Sequence, residues 1–341
     1  MDIERKMATV RVIAEIRPIP DADKICSYRV DGWWVTDQVS KYQVGEKVVY
    51  LECDSWVPTE IAPFLSKGKE PREFNGIKGE RLRSLKMKKV LSQGLLLPIE
   101  YCIDKCGCTS SLEEGQDVSE WLGIVKYEKP MDARLAGMAR GNLPTGVIKS
   151  DQERIQNLGK YLKYYVGKTF EVTEKLDGSS ATYFLDNNDE FRVCSRNLEL
   201  KYDENNAYWK AAIKYDIENK MRKAQMQGIY LQGEIIGQGI QNNQYKVDLQ
   251  FYVFDMYNVN TSEYAPSYNR QQITEALGLL HVPVLGTMVL TENDTVQSLL
   301  ELSKGVSMLN ESTREGLVLK CIEDPSISFK VINDDWLLKN D

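Results

Sequence analysis

The first hundred residues consist of short runs in which apolar and polar residues alternate. Runs such as ATVRVIAEIRPI, YRVDGWWVT and QVGEKVVYLE, and later GERLRSLKM and SQGLLLPIE, are separated by Gly, Pro and Asp. An alternation with a period of two indicates half-buried strands, and strands at this spacing are typical of a small barrel or sandwich. The pattern therefore predicts a β domain at the start of the chain.

Composition changes near residues 110–125, and a second pattern begins near residue 149. The segment GNLPTGVIKSDQERIQNL is interpreted as a loop that leads into a helix, with Asp151 near the start of that helix. We therefore predict a first domain over residues 1–125, a linker over 126–148 and a second domain over 149–341.

The second domain mixes strands with helices. Strand-like runs (TFEVTEK, SATYFL, GIYLQGEII, LQFYVFDMY, EGLVLKC and ISFKVI) alternate with polar helical stretches such as YDENNAYWKAAIKYDIENKMRKAQ. Neighbouring strand runs lie close enough along the chain for mainly antiparallel pairing. The predicted fold class is α+β, with a β-barrel followed by a domain built on antiparallel sheet.

Composition places the chain among globular proteins of about two domains. It has 341 residues, of which 42% are hydrophobic and 27% are charged. No apolar stretch approaches the roughly eighteen residues of a membrane span, and no basic leader followed by an apolar run opens the chain. We expect a cytoplasmic protein without membrane contact, whose seven cysteines are reduced thiols.

Several kinds of chemistry are disfavoured. His281 is the single histidine and lies among apolar residues, so Ser-His-Asp triads and zinc sites with several histidines are improbable, and a packed strand position is expected for it. The cysteines of YCIDKCGC lack a convincing fourth zinc ligand. The run VGKTF imitates a phosphate loop, but Leu162 stands where that loop requires glycine.

The net charge of −7 conceals one strongly basic segment. KGERLRSLKMKK carries six cations against the single acid Glu80: Lys78, Arg81, Arg83, Lys86, Lys88 and Lys89. Such a segment is either a site for a polyanion or a solvated edge that like charges protect from pairing. The segment by itself leaves both readings open.

The stretch EKLDGSS places Lys175 and Asp177 beside Gly178 at the start of a predicted strand. Taken alone it is what an ordinary turn looks like. If Lys175 were a nucleophile, its amine, with an ordinary pKa of about 10.4, would need a nearby metal ion or guanidinium to become neutral. Acids, cations and aromatic side chains do follow at strand ends: Arg196, Asn197, Glu234, Tyr252, Phe254, Glu315, Lys320 and Lys330.

In this order, these segments resemble the covalent nucleotidyltransferase superfamily of ATP-dependent ligases and capping enzymes. The six matching motifs are KLDG, SRN, QGE, FYVFD, EGLVLK and the FK of SFKVIN, and the resemblance covers residues 149–341. It implies that Lys175 attacks the α-phosphorus of ATP, releases pyrophosphate and carries AMP as a phosphoramidate.

The resemblance also implies roles for the other residues. Asp177, Glu234 and Glu315 would position a hydrated divalent ion, Mn²⁺ or Mg²⁺. Gly178 would let the backbone approach the nucleotide. The remaining nucleotide contacts would come from Glu174, Asn197, Arg196 on ribose or phosphate, Phe254 on adenine, and Lys320 and Lys330 on the α-phosphate. The pattern departs from the family at Ile332, where many ligases have a second lysine.

Three segments of the predicted barrel, IRPIPDADKICSYRVDGW, VYLECDSWVP and LRSLKMKKVLSQGLLLP, are similar to OB domains related to tRNA-binding modules. A barrel placed before the transferase resembles the fifth family of ATP-dependent RNA ligases. Only eleven residues follow Lys330, so an OB domain after the transferase is not expected. The resemblance implies sealing of a 3′-hydroxyl to a 5′-phosphate, at breaks in duplexes with RNA on the 3′-hydroxyl side. We expect a monomer of bacterial or viral origin.

In an RNA ligase, the basic segment would bind the nucleic acid substrate. Arg81, Arg83, Lys86 and Lys88 would grip the nucleic acid backbone. Trp33 and Trp34 are candidates for stacking on bases, with one of them expected in the barrel core.

Two alternatives stay open from the sequence. The chain could be a DNA ligase or a guanylyl-transferring capping enzyme of the same superfamily. It could also be an RNA-binding protein whose transferase has lost activity, although Lys175 and every carboxylate are retained.

Overall fold

The computed structural model describes residues 5–106, 112–128, 137–144 and 146–340. The first part of the chain forms short strands: β1 (Ala8–Ile19), β2 (Ala22–Val30), β3 (Trp33–Gln38), β4 (Lys47–Leu51), β5 (Ser55–Pro58), β6 (Arg72–Phe74), β7 (Ile77–Arg81), β8 (Leu85–Met87), β9 (Val90–Ser92), β10 (Leu95–Pro98) and β11 (Val125–Lys126). A 3₁₀ turn at Pro63–Ser66 and helix α1 (Ile99–Cys106) complete the part described here.

Five of these strands close into a barrel, as the alternation predicted. Their order is β10-β4-β1-β2-β3, and the end strands β10 and β3 also contact each other. Strand β1 makes this possible because its first half pairs with β4 and its second half with β2, with register shifts at Ile13/Glu15 and Pro18/Ile19. Bulges of this kind bend a strand and increase its twist. Trp33, Tyr28 and Ile13 fill the interior and are fully buried.

The rest of the chain forms two larger sheets. Their strands are β12 (Ala139–Asn142), β13 (Glu153–Arg154), β14 (Thr169–Lys175), β15 (Ser179–Leu185), β16 (Phe191–Ser195), β17 (Leu198–Leu200), β18 (Ile229–Ile236), β19 (Gln250–Asn258), β20 (Glu263–Tyr264), β21 (Leu280–His281), β22 (Val284–Val289), β23 (Gly316–Cys321) and β24 (Ser328–Ile332). One sheet has the order β12-β17-β16-β15-β18-β19-β20, with β21 beside β19, and the other has the order β13-β24-β23-β14-β22. Every pair in them is antiparallel except β13–β24 and β19–β21.

Short helices pack outside these sheets. They are α2 (Ala207–Lys214), α3 (Ile217–Lys223), α4 (Ser267–Ala276), α5 (Val296–Ser303) and α6 (Asp334–Asn340), with 3₁₀ turns at Ile155–Leu158 and Leu162–Tyr164. The predicted helical stretch near residue 210 is divided into α2 and α3 because Asp216 adopts a left-handed conformation, with φ of 51°. No helix among the described residues is long and apolar enough to cross a membrane.

The predicted helix after Asp151 is wrong. Glu153 and Arg154 instead form β13 in parallel register with Phe329 and Lys330, and only a 3₁₀ turn follows. Because this backbone is extended to pair with β24, it cannot make helical hydrogen bonds. His281 does lie in a strand, as expected.

The segment between the two parts contributes to sheets on both sides. Val125 and Lys126 pair with β5 of the first part, whereas Ala139–Asn142 pairs with β17 of the second. The exact division at residues 125 and 148 stays a prediction.

Candidate active site

The stretch Lys175–Gly178 carries the chain from one large sheet to the other. Strand β14 of the five-stranded sheet ends at Lys175, and β15 of the other sheet begins at Ser179. Leu176 is buried against Ile236 and Tyr245 and anchors the crossing. The tetrapeptide is therefore not a hairpin turn, and Lys175 and Asp177 lie between the two sheets, where β14 ends and β15 is about to begin.

Gly178 is required because another backbone segment passes very close to it. A Cβ at this position would lie 2.2 Å from the carbonyl oxygen of Ile235 and 2.8 Å from Cγ2 of Ile236. Both neighbours belong to β18, the strand that carries Glu234. Glycine therefore sets the spacing between the crossing and a predicted carboxylate of the site.

We expect Gly178→Ala to destabilise the protein by about 1–3 kcal/mol, because two backbone segments must separate to admit the methyl group. Thermal unfolding of the purified variant measures this. The matched control is Gly141→Ala, because a Cβ at Gly141 has open space around it. Gly239→Ala is unsuitable because Gly239 has φ of 85°, a conformation that strains any other residue. Equal melting of Gly178→Ala and Gly141→Ala would contradict the close approach.

Lys175 lies among carboxylates. Its Nζ donates to Oε1 of Glu315 at 2.7 Å, and 26% of its side chain is exposed. Burial lowers the pKa of Lys175, but Glu315, Glu234 and Asp177 outweigh burial and raise that pKa above its ordinary value. The ammonium form is therefore the resting form of this side chain.

The surroundings of these carboxylates disfavour their charged forms. Burial, together with Glu315, raises the pKa of Asp177 to about 6. Burial, with further repulsion from Glu315 and Asp177, raises the pKa of Glu234 to about 8. Oε2 of Glu315 is buried and has no hydrogen-bond partner among the described residues. Three crowded acids and an unpartnered oxygen favour a bound cation.

These acids do not form a closed metal cage. Within the part of the chain that the structure describes, no group of three or more acid, histidine or cysteine side chains is close enough to hold a metal ion. Mg²⁺ and similar ions are commonly held by one or two carboxylates, with water and substrate phosphate completing the coordination. The donor set fits a hydrated ion of that kind.

A second group of cations adjoins Lys175. Lys330 lies on β24 in register with Arg154 of β13, and among the described residues no carboxylate forms an ion pair with Lys330. Burial, Arg154, Arg5 and Lys175 lower the pKa of Lys330 to about 7. Arg154 is 8% exposed, and its Nε and Nη1 have no hydrogen-bond partner among the described residues. Arg154 supplies the permanent positive charge of this cluster, and its unpartnered N–H groups are available for an anion.

Ile332, the position that departs from the family pattern, is buried at the end of β24. Arg154 stands beside Lys330 on the neighbouring strand, where a second cation is available. Sequence reasoning did not select Arg154. Its only sequence signal was its place in KSDQERIQN, just before the transferase strands, because the pairing of β13 with β24 is not visible in the chain.

The structure does not bring Lys320 to Lys175. On β23, Lys320 pairs with Ser328 and Glu171. The residue of β23 that pairs with Lys175 is Gly316, four positions before Lys320. Its ammonium is buried, bonded to Asp255 and placed 4.9 Å from the centroid of Tyr264. These contacts favour a structural role for Lys320, and its predicted phosphate contact stays untested.

The remaining predicted nucleotide contacts lie around the two sheets. Arg196 follows β16 and binds Asp151 at 2.7 Å, and Nδ2 of Asn197 donates to Glu128 at 3.2 Å. The side chain of Glu174 is buried and accepts a hydrogen bond from the backbone of Met308. Arg196 is half exposed and so is accessible to a ligand.

Phe254 is positioned by a β-bulge. Gln232 pairs with Asp255 and the next residue, Gly233, pairs with Val253, so Phe254 is the extra residue in β19. Bulges re-aim side chains and are frequent next to active sites. Phe254 is half buried and packs against the cluster that contains Leu176 of the crossing.

Asp54 of the first domain lies close to Arg154 of the candidate active site. Asp54 accepts from Arg81 at 2.6 Å and from Arg5 at 3.4 Å, and lies 3.8 Å from Arg154. Arg81 is therefore held by an internal carboxylate, unlike the exposed Arg83, Lys86 and Lys88 of the same basic segment. Arg5 and Asp54 were also missed by sequence reasoning, since neither lies in a recognisable motif.

Comparison with known proteins places both parts of the chain. A family model described as RNA ligase matches residues 168–332, and a model described as an OB-fold domain matches residues 7–99. Curated proteins give no match.

Solved structures of an RNA ligase from Naegleria gruberi are similar over nearly the whole chain. An apo variant of that ligase is 36% identical, with a TM-score of 0.90 and coverage of 99% of both chains. Variants solved with AMP and Mn and with ATP and Mn are each 37% identical, cover 98% of this chain and 99% of their own, and have TM-scores of 0.90 and 0.89. The two-part architecture therefore has a counterpart in a solved RNA ligase.

Proposed function

Because the chain belongs to the RNA ligase family, we propose that it joins RNA ends through AMP carried on Lys175. The predicted fold class, an OB-fold barrel followed by an antiparallel-sheet nucleotidyltransferase domain, is confirmed, as is the predicted ATP-dependent RNA ligase activity at the level of the family. The single observation that carries the role of Lys175 is its position on the crossing between the sheets, bonded to Glu315 and beside Asp177 and Glu234.

In the first step, Nζ of Lys175 attacks the α-phosphorus of ATP. A nitrogen–phosphorus bond forms, and the bond to the pyrophosphate oxygen breaks. Since the resting side chain is an ammonium, it must lose a proton first, and Oε1 of Glu315 at 2.7 Å is positioned to accept it. Arg154 and Lys330 offer N–H donors for the phosphates, as preorganised clamps do in phosphoryl transfer.

Asp177, Glu234 and Glu315 are the residues that would hold the divalent ion, directly or through water. The ion would stabilise negative charge on the α-phosphate and favour the neutral form of Lys175. Mn²⁺ and Mg²⁺ both suit carboxylate and water oxygens. Solved structures of the Naegleria gruberi ligase contain Mn with either ATP or AMP, which supports a divalent ion beside the nucleotide.

Two further steps complete the reaction that we propose. The 5′-phosphate of the RNA attacks the phosphorus of the lysyl-AMP, taking AMP and freeing Lys175. The 3′-hydroxyl then attacks the 5′-phosphorus, forming the phosphodiester and releasing AMP. We further propose that the substrate is a break in a duplex with RNA on the 3′-hydroxyl side, that the first domain grips it, and that the protein acts as a monomer in the cytoplasm.

The proposal is tested by incubating the protein with Mn²⁺ and either ATP or GTP labelled at the α-phosphate, followed by denaturing electrophoresis. A band with ATP alone supports adenylylation. A band with GTP alone would indicate a capping enzyme, and no band from folded protein would indicate a binding protein on a ligase scaffold. A need for the 2′-hydroxyl at the 3′ side of the break separates RNA ligation from DNA ligation.

We expect the metal requirement of adenylylation to fall as the pH rises. The pKa of Asp177 is raised to about 6 and that of Glu234 to about 8, so protons compete with the metal for these oxygens below pH 8. The apparent Mn²⁺ concentration for half-maximal adduct formation should decrease between about pH 6 and pH 9. Glu234→Gln should flatten the upper part of this dependence, and a requirement that is independent of pH in both proteins would refute the assignment.

A further inference from the structure

We infer that the outer face of the barrel at Trp34 is a base-stacking site for the RNA strand. The inference rests on the proposed function and adds a location that the basic segment alone does not provide. It depends on three observations: the environment of Trp34, the cations around it, and the place of its strand beside the catalytic domain.

The two neighbouring tryptophans point to opposite faces of β3. Trp33 is fully buried in the barrel, and its Nε1 donates to Asn157 at 2.6 Å. Trp34 is partly exposed on the outside of the barrel. Successive side chains of a strand alternate between faces, so the core position of Trp33 fixes the outward position of Trp34.

Two guanidinium groups lie against the indole of Trp34. Cζ of Arg17 is 4.4 Å from the ring centroid, and Cζ of Arg29 is 5.9 Å from it. Arg29 is the cross-strand partner of Trp34 on β2. Nucleobases stack on aromatic rings and on the guanidinium planes of arginine. A base at this surface can therefore stack on Trp34 or on a neighbouring guanidinium.

Glu15 holds these cations in place. Its carboxylate accepts from Nε of Arg17 at 2.5 Å and from Nε of Arg29 at 2.9 Å. The Arg17 side chain is nevertheless 61% exposed and that of Arg29 is 36% exposed, which leaves N–H groups for phosphate oxygens. One acid against two guanidiniums leaves a net positive charge, which suits a polyanion. The hydrogen bonds to Glu15 hold both guanidiniums in position before RNA binds.

The predicted RNA grip continues from this surface. The hairpin of β8 and β9 lies next to β3, because the backbone N–H of Gln93 donates to the carbonyl of Trp34 at 2.8 Å and that of Thr36 donates to Oγ of Ser92. Its outer residues Lys86, Lys88 and Lys89 are exposed. The stacking surface and the lysines of the hairpin therefore form one positive flank on the first domain.

This flank borders the transferase domain. Strand β3 starts at the contact between the domains, where Gly32 donates to the carbonyl of Gln156 at 3.0 Å. Arg154, which stands beside Lys330 in the candidate active site, lies 5.7 Å from the ring of Trp33. Trp34 is thus two residues along β3 from this contact between the domains, on the face of the strand opposite Trp33.

The test compares Trp34→Ala, Trp34→Phe and, as a matched control, Trp121→Ala, which removes an indole that is 40% exposed elsewhere on the first domain. Each full-length variant is first assayed for its yield of labelled lysyl-AMP, a step that involves no RNA. Affinity is then measured by fluorescence anisotropy with a nicked duplex that carries an adenylylated 5′ end, and sealing of the same duplex is followed under single turnover.

Because stacking on one aromatic residue contributes about 1–3 kcal/mol, we expect Trp34→Ala to bind this RNA roughly 5- to 150-fold more weakly. Trp34→Phe should stay within about threefold of wild type, and Trp121→Ala should match wild type. Arg17→Gln should lower the slope of log affinity against log salt by about one.

Two results would overturn the inference. One is RNA affinity in Trp34→Ala that equals that of Trp121→Ala. The other is a loss of lysyl-AMP in Trp34→Ala as large as its loss of affinity, which would show a structural role for the indole. Failure of the wild-type protein to form lysyl-AMP or to seal the duplex would instead refute the proposed function.

Discussion

Replacement of Lys175 by alanine is expected to abolish the covalent AMP adduct, lowering its yield below the level of detection. The Nζ of Lys175 is the atom that forms the bond to phosphorus, and alanine has no nucleophile in its place. The side chain is 26% exposed and lies at the end of β14, so the fold should survive the substitution. The measurement is incubation with ATP labelled at the α-phosphate, followed by denaturing electrophoresis.

A matched control is Lys163→Ala, which removes an exposed lysine from a 3₁₀ turn ahead of β14. This variant should label as strongly as wild type. Because sealing of an adenylylated nick does not require the lysine adduct, Lys175→Ala should retain part of that last step. A labelled band of normal strength in Lys175→Ala would place the nucleophile elsewhere and refute the assignment.

Lys330→Ala and Lys320→Ala are expected to fail in different ways. Lys330 has no carboxylate partner among the described residues and stands beside Arg154, so its loss should lower the rate of adduct formation about 10²- to 10³-fold with little change in melting temperature. Lys320 is 4% exposed and bonded to Asp255, so its removal leaves a buried carboxylate unpaired and should destabilise the fold by about 3–5 kcal/mol.

Adduct formation and thermal unfolding, measured on the same samples, distinguish the two variants. The double variant Lys320→Met with Asp255→Leu removes both charges and should recover stability that Lys320→Ala loses. If Lys320→Ala melts like wild type but fails to form the adduct, Lys320 contacts the nucleotide after all, as the sequence resemblance implied.

The sheets could be predicted from the sequence because their burial follows the alternation of side chains. Each strand-like run of the second domain, from TFEVTEK to ISFKVI, forms a strand, and the barrel follows from the short runs of the first domain. The segment after Asp151 could not be predicted in this way. Its polar and apolar spacing suits a helix, but pairing with β24 determines its conformation.

The lysine and the acids of the candidate site could be predicted from the sequence, but Arg154 and the contacts between the residues could not. The order of six motifs identified Lys175, Asp177, Glu234 and Glu315, which the structure brings together. The ion pairs of Arg81 with Asp54 and of Lys320 with Asp255 join residues 27 and 65 positions apart, and only the fold sets those distances. The bulge at Phe254 likewise depends on the register of β18 against β19.

The central claim is that AMP on Lys175 is an intermediate of RNA joining. The most direct test is to isolate the protein carrying labelled AMP, remove free ATP, and mix it with a nicked duplex that has RNA on the 3′-hydroxyl side and a 5′-phosphate. We predict that the label leaves the protein and is released as AMP while up to one phosphodiester forms per adduct. A stable adduct, or loss of label without joined RNA, would contradict the account.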